Sequence, residues 1–266
     1  MITKTNLKII VVLISYNAEK TLADFYQELK KYYSGEIILV DDKSRDNTFE
    51  LAKQLGIESY QNKVNQGYGG NLKRALYLAL KKGADVIIDI HPDGEYKPAS
   101  IPLAIKEAEN GAKFILGDRF TNINKALESG MFIWKLIPLR TLNLIDNIFL
   151  GTRINDFHQG FRVYTKELLS ELNFEDNSNK FIFSFQIIAQ AIFNGIKITQ
   201  VPVETKYEGE KRGATLKHSL SYTVDTFIIL YKFILAKIGI KIDLFQIPKV
   251  TLEERLEKLD KLYENF

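Results

Sequence analysis

Three short stretches carry residue types and spacings that could do chemistry. The first, Asp89 to Glu95, reads DIHPDGE. His91, Asp93 and Glu95 alternate, so an extended segment would put their side chains on one side. Such a cluster beside a diphosphate suits Mg2+ or Mn2+, which take oxygen ligands and keep positions open for phosphate. The plainer readings are a hydrogen-bonded His at a strand end and a turn Asp before Gly94. The second, Ile38 to Asp46, reads ILVDDKSRD. Asp41 and Asp42 directly follow an apolar run, where carboxylates can accept from a base N–H or from sugar hydroxyls. Helix capping accounts for Ser44 or Asp46, but poorly for the pair. The third, Asn65 to Asn71, reads NQGYGGN and opens a helix. Its glycines allow close backbone approach, and a helix N-terminus favours anions. A plain turn is the alternative, since this is not the dinucleotide GxGxxG pattern.

Positioning these clusters requires strands that end where they begin. Lys8 to Ser15 (KIIVVLIS), Glu36 to Val40 (EIILV), Asp85 to Ile90 (DVIIDI) and Phe114 to Gly117 (FILG) are apolar runs of the kind buried on both faces of a parallel sheet. Helical patterns separate them: Asn17 to Tyr33, with Thr21 and Asp24 spaced as a capping box, then Thr48 to Leu55 and Gly69 to Lys82. Strand–helix alternation predicts a doubly wound α/β sheet, with ligands beyond the carboxyl ends of its strands. The second half is less regular. Met131 to Leu150 reads as a helix despite Pro138, Asp156 to Tyr164 (DFHQGFRVY) as a loop entering a strand, Ser184 to Asn194 as a helix, and Ile196 to Val203 as a strand.

The balance of 45% apolar and 26% charged residues is that of a globular chain able to bury its own core. A net charge of +3 is too small to point to nucleic acid, and zero cysteines exclude disulfides and thiolate chemistry. The polar start, Met1 to Lys8, lacks signal-peptide features, so a cytoplasmic location is expected. Phe227 to Ile240 (FIILYKFILAKIGI) is the most hydrophobic segment, but it is interrupted by Lys232 and Lys237 and is short for a span. It reads as a buried or interfacial helix. Leu252, Leu256, Leu259, Tyr263 and Phe266 form a short heptad seam. That seam serves either docking on the chain's own domain or self-association, and a homo-oligomer is expected.

Taken together, SYNAE, VDDKSRD, NQGYGGNLKRA, HPDGEY, LGDRF and DFHQGFRVY resemble the family 2 glycosyltransferases of GT-A fold. The nearest likeness is to the dolichol- or polyprenyl-phosphate sugar synthase branch, over about Ile9 to Tyr207. The resemblance implies a GT-A domain over 1–215, with residues 1–119 serving the donor and residues 120–215 the acceptor, and C-terminal helices over 216–266 that are membrane-interfacial or oligomerising. It implies a UDP- or GDP-linked sugar donor. Tyr16 and Glu19 would lie beside the nucleobase, and Asp41 or Asp42 would hold base or ribose. Gly67 and Gly70, with Lys73 following them, would lie along the donor, and Arg119 would complete that side. Asp93 would be the principal metal and diphosphate residue, with His91 and Glu95 as further metal ligands for Mg2+ or Mn2+. His91 stands where the family usually has an acid. Asp156 and His158 would face the acceptor, and Arg162 would meet phosphate. Ser184 and Gln186 depart from the acidic residues usual there.

The implied reaction is displacement with inversion at the anomeric carbon. A hydroxyl acceptor needs a base, and Asp156 is the first choice. A lipid phosphate is already anionic and needs none. A polyprenyl phosphate acceptor, with possible peripheral membrane contact, is favoured over a glycan or small-molecule hydroxyl. A nucleotidyltransferase and a non-catalytic nucleotide-binding homologue are the readings from other classes.

Overall fold

The computed structural model describes residues 7–121, 133–206 and 216–263. The first six residues, Met131 and Phe266 therefore lie outside it. A seven-stranded sheet of order β3-β2-β1-β4-β6-β5-β7 forms the centre. Its strands are β1 (Ile9–Ser15), β2 (Glu36–Asp41), β3 (Glu58–Gln61), β4 (Val86–Asp89), β5 (Phe114–Asp118), β6 (Arg162–Thr165) and β7 (Ile198–Pro202). All pairs are parallel except those of β6, which runs antiparallel to β4 and β5. The order reverses direction at β1, where β2 lies on one side and β4 on the other. A crevice at the carboxyl ends follows from that reversal.

The sheet is covered on both faces, which explains its unbroken apolar strands. Ile10, Val12 and Ile14 of β1 point into one core. There they meet α3 (Gly67–Lys81), α6 (Lys166–Glu171) and α7 (Phe183–Phe193). Val11 and Leu13 point into the other core, against α1 (Glu19–Tyr32), α2 (Thr48–Gln54) and α4 (Ile101–Glu109). The chain adds α5 (Ile133–Leu150), α8 (Leu216–Lys237) and α9 (Leu252–Tyr263). Ile229, Leu230 and Phe233 of α8 and Leu252 of α9 join the first core. The C-terminal helices thus complete the domain's own interior.

One expectation changes, and one of the two readings of the tail is met. The capping box does not form: α1 begins at Glu19 with no side-chain cap. Instead Thr48 Oγ1 accepts from Ala18 N at 2.7 Å and Asp46 accepts from Glu19 N at 3.2 Å. Thr21 is drawn away, donating to the Pro92 carbonyl at 2.7 Å. The tail seam is used within the chain rather than left for a partner. Leu252 and Leu259 are buried and Leu256 packs on the first core. Buried Arg255 donates to the Leu172 carbonyl at 2.5 Å and to Glu175 at 2.6 Å. Lys81 pairs with Asp260 at 2.6 Å. A buried guanidinium satisfied by carbonyls and a carboxylate fixes α9 in one register.

Candidate active site

The acidic pair after β2 is spent on the chain's own donors. Asp41 accepts from Ser44 N and from Gln61 Nε2, each at 2.9 Å, and from the Ser44 hydroxyl. Asp42 accepts from Asn62 Nδ2 and Gln66 N at 2.7 Å and from Gly67 N at 2.9 Å. Burial raises the Asp42 pKa against those bonds, which lower it. Asp42 is thus the latch of the 65–70 loop. Glu19 is tied likewise, accepting from Asn47 Nδ2 at 2.9 Å. Of the expected donor residues on this side, Tyr16 presents an exposed ring. It leads into Asn17, held at φ 54 by bonds to Ser44 and Arg45.

The glycine loop approaches protein, not open space. Gly67 has φ 77, and a Cβ there would lie 2.8 Å from the Asn179 carbonyl. A Cβ on Gly69 would collide with the Ser178 carbonyl and lie 2.7 Å from Phe183 Cβ. Gly69 N donates to that Asn179 carbonyl at 2.8 Å. The first N–H groups of α3 therefore bond to Asp42 and to the 178–180 segment. Lys73 is turned away from the crevice, donating to the carbonyls of Glu175 at 3.2 Å and Asn177 at 2.8 Å. The expectation that Gly67, Gly70 and Lys73 lie along the donor meets a loop already filled by its own chain.

Beyond Asp89, which ends β4, the HPDGE stretch is a turn and not an extended strand, so His91, Asp93 and Glu95 do not share one side. Gly94 has φ 75, and Glu95 N donates to Asp93 Oδ1 at 2.8 Å. Asp93 is exposed, whereas Glu95 turns inward to 3.9 Å from Arg119 Nη1. His91 also faces inward. Its Nε2 sits 3.7 Å from Asp89 Oδ1, and its ring meets Tyr68 edge-on at 5.6 Å. Burial lowers the His91 pKa, leaving the imidazole neutral, and pushes Asp89 up to about 6. Among the described residues no three His, Asp or Glu side chains converge as a ligand set. The residues therefore fit a divalent cation in one way. Asp93 supplies a single carboxylate, as Mg2+ sites often have, with phosphate and water as the other ligands. The buried His91 Nε2 and the two Asp89 oxygens, none of them hydrogen-bonded, are further nearby atoms with lone pairs to give.

The loop before β6, expected on the acceptor side, is built around ion pairs. Asp156, fully buried, receives Arg119 Nε at 2.6 Å and Nη2 at 2.9 Å. Arg119 Nη2 also donates to the His158 carbonyl at 2.9 Å. Such a bidentate pair engages both carboxylate oxygens, so Asp156 is not a free base. His158 uses both ring nitrogens, Nε2 to Asp146 Oδ2 at 2.7 Å and Nδ1 to the Tyr222 hydroxyl at 2.9 Å. It is a clamp between α5 and α8. A Cβ on Gly160 would lie 3.2 Å from the His91 ring, so this loop touches the DIHPDGE turn. Arg162 pairs in register with Asp89 across β6 and β4. It donates to the Tyr68 hydroxyl at 3.3 Å, which meets Ser184 Oγ at 3.1 Å. Both Asp89 oxygens, Arg162 Nε and the Tyr164 hydroxyl are buried without a hydrogen-bond partner. Four polar atoms this deep and unsatisfied mark a place where waters or a polar ligand belong.

Sequence reasoning missed Tyr68, Asp146 and Tyr222. Asp89 was visible as an acid ending an apolar run. Asp146 and Tyr222 left no local signal, because His158 gathers them from 12 and 64 residues away.

The family profile described as "Glycosyl transferase family 2" matches residues 10–172, more than half of the chain. An uncharacterized protein of Methanocaldococcus jannaschii is 29% identical over 234 residues, covering 87% of this chain and 93% of its own. The UDP-N-acetylglucosamine–dolichyl-phosphate N-acetylglucosaminyltransferase of Methanococcus voltae is 25% identical, covering 88% and 98%. Glucosyl-3-phosphoglycerate synthase from Mycobacterium tuberculosis, solved with Mn2+ and UDP, superposes with a TM-score of 0.66 at 17% identity over 90% of this chain and 83% of that one. That likeness is one of fold, the GT-A fold. With its sheet, its crevice and its motifs in these positions, the chain belongs to glycosyl transferase family 2 and is a glycosyltransferase.

Proposed function

We propose that this glycosyltransferase moves a sugar from a UDP- or GDP-linked donor to a polyprenyl phosphate, with inversion. The observation that carries the acceptor class is the Arg119–Asp156 pair. The carboxylate expected to act as base is bound through both oxygens. A hydroxyl nucleophile would have to break that pair to lose its proton. A phosphate monoester arrives already ionised. Its oxygen attacks the anomeric carbon, the bond to the nucleoside diphosphate breaks, and the diphosphate leaves with the electron pair. No proton need move. The Methanococcus voltae relative is named for transfer to dolichyl phosphate, which supports the same class.

In this reading Tyr16 borders the nucleobase and Asp93 faces the diphosphate. Arg162, with the Tyr68 and Tyr164 hydroxyls, forms the anionic acceptor's pocket, since a planar guanidinium suits phosphate. Mg2+ or Mn2+ held by Asp93 would supply positive charge to the leaving diphosphate. Thermal shift across UDP- and GDP-sugars with Mn2+, Mg2+ or EDTA tests the donor. Transfer of labelled sugar into a solvent-extractable product with polyprenyl phosphate tests the acceptor. Donor binding without lipid-linked product, but with transfer to a sugar hydroxyl, would refute the acceptor assignment.

A further inference from the structure

Asp146, His158 and Tyr222 form a chain of polar groups that the transfer reaction leaves unused. Asp146 of α5 is fully buried, and the His158 side chain is 6% exposed. The imidazole stacks on Phe185 of α7 at 5.7 Å and meets the Tyr222 ring of α8 edge-on at 5.4 Å. Holding helices together there needs only shape and apolar contact. Instead a carboxylate, an imidazole and a phenol follow one another at 2.7 and 2.9 Å, and Asp146 Oδ1 has no partner.

The chain ends beside the anion pocket. In the β4–β6 register the Asp89–Arg162 pair lies two residues beyond the Ile87–Tyr164 pair. Ile87 and Tyr164 point into the first core, and strand alternation sends Asp89 and Arg162 to the same face. There Arg162 meets Tyr68 of α3, which meets Ser184 of α7. Tyr222 packs on that same core, and both Arg162 and Tyr68 act electrostatically on its hydroxyl.

The proton count of the Asp146–His158 dyad decides what Tyr222 can do. With one proton, on Nε2 facing the carboxylate, Nδ1 keeps its lone pair and the Tyr222 hydroxyl must donate to it. With two protons Nδ1 carries hydrogen and donates to the Tyr222 oxygen, so the phenolic hydrogen is released. The surrounding charges are otherwise balanced. Asp156 of the same loop is paired with Arg119, whose guanidinium also takes the His158 carbonyl. Arg162 of β6 faces Asp89 of β4. Burial keeps the Tyr68 and Tyr222 hydroxyls neutral. An anion added at Arg162 is the charge that draws a second proton onto the dyad.

We propose that Tyr222 is a further binding residue for the acceptor's phosphate, and that Asp146 and His158 are positioning residues that free its hydrogen by taking up one solvent proton as the anion arrives. The inference rests on the lipid-phosphate reading above and adds to it a hydroxyl from α8 and a proton linked to binding.

The test is calorimetric binding of farnesyl phosphate to the full chain between pH 7 and pH 8.5, in buffers of different ionisation heat. A phosphate monoester, with a second pKa of about 6, stays a dianion over that range, so the pH dependence belongs to the protein. Wild type should take up a proton on binding. Its affinity should fall by about threefold to tenfold per pH unit, since one linked proton gives at most about tenfold. Tyr222→Phe removes one oxygen and keeps the ring. It should bind about tenfold more weakly, with less proton uptake. His158→Asn should bind without pH dependence. Nucleotide-sugar thermal shift shows whether each variant keeps its fold, and if His158→Asn unfolds, Tyr222→Phe decides alone. Equal affinity of wild type and Tyr222→Phe, or wild-type binding without proton uptake, overturns the proposal and leaves the lipid-phosphate reading standing. A lower Tm in Tyr222→Phe with wild-type affinity and proton uptake also overturns it, and would make the chain a structural clamp only. Wild type that binds no farnesyl phosphate yet transfers sugar to a hydroxyl refutes both.

Discussion

Replacing Asp156 with Asn separates a structural carboxylate from a catalytic base. The Arg119 side chain is 7% exposed and that of Asp156 is fully buried, with contacts of 2.6 and 2.9 Å. Removing one partner of a buried, hydrogen-bonded ion pair typically costs about 3–5 kcal/mol, because the other charge stays buried. Glu95 lies 3.9 Å from Arg119 Nη1 and keeps part of the neutralisation. The expectation is therefore the lower end, about 3 kcal/mol, or a fall in Tm of about 8 °C for a chain of this size. Urea unfolding should show it as a lower midpoint at unchanged slope. Arg119→Leu alone should lose a comparable amount. The double replacement with Leu at both positions should recover most of it, since no charge is left stranded. Asp156→Asn that unfolds within about 0.5 kcal/mol of wild type, yet transfers no sugar and loses the acid limb of its pH profile, would refute this reasoning and restore the base.

Other perturbations give distinct outcomes. Asp93→Ala should abolish metal-dependent stabilisation by nucleotide sugars while leaving metal-free stability within about 0.5 kcal/mol, since the side chain is exposed; retention of the metal response in a thermal shift would remove Asp93 from the site. Gly69→Ala should destabilise by at least about 2 kcal/mol in urea unfolding, because the new Cβ meets the Ser178 carbonyl and Phe183. Asp89 has a folded pKa of about 6 against 3.8 for the free group, raised by burial. A raised pKa contributes stability that is full below pH 3.8 and lost as pH rises through about 6. In EDTA, Asp89→Asn should therefore be more stable than wild type at pH 7.5, by on the order of 1–3 kcal/mol, with the difference shrinking towards pH 4. Urea melts at both pH values check the sign.

Much of the first half was legible because its signals are local. The runs KIIVVLIS, EIILV and DVIIDI needed only their own residues to read as strands buried on both faces, and they are. The short strand ESYQ was invisible, since Glu58–Gln61 is a polar edge strand recruited by register with β2. Helix α5 was legible through Pro138, but which of its faces binds the loop before β6 was not.

The sequence by itself determined the family, the strand ends where chemistry gathers, and the identity of the residues there. Those depend on residue type and on spacing along the chain. Only the tertiary structure decided what each side chain is free to do. Asp41, Asp42 and Lys73 bond to the chain's own groups, Asp156 is closed by Arg119, His158 is closed by Asp146 and Tyr222, and Asp93 faces outward. A carboxylate's availability depends on which distant donors reach it once the sheet closes. Those donors come from segments 20 to 37 residues away, whose approach no local pattern records.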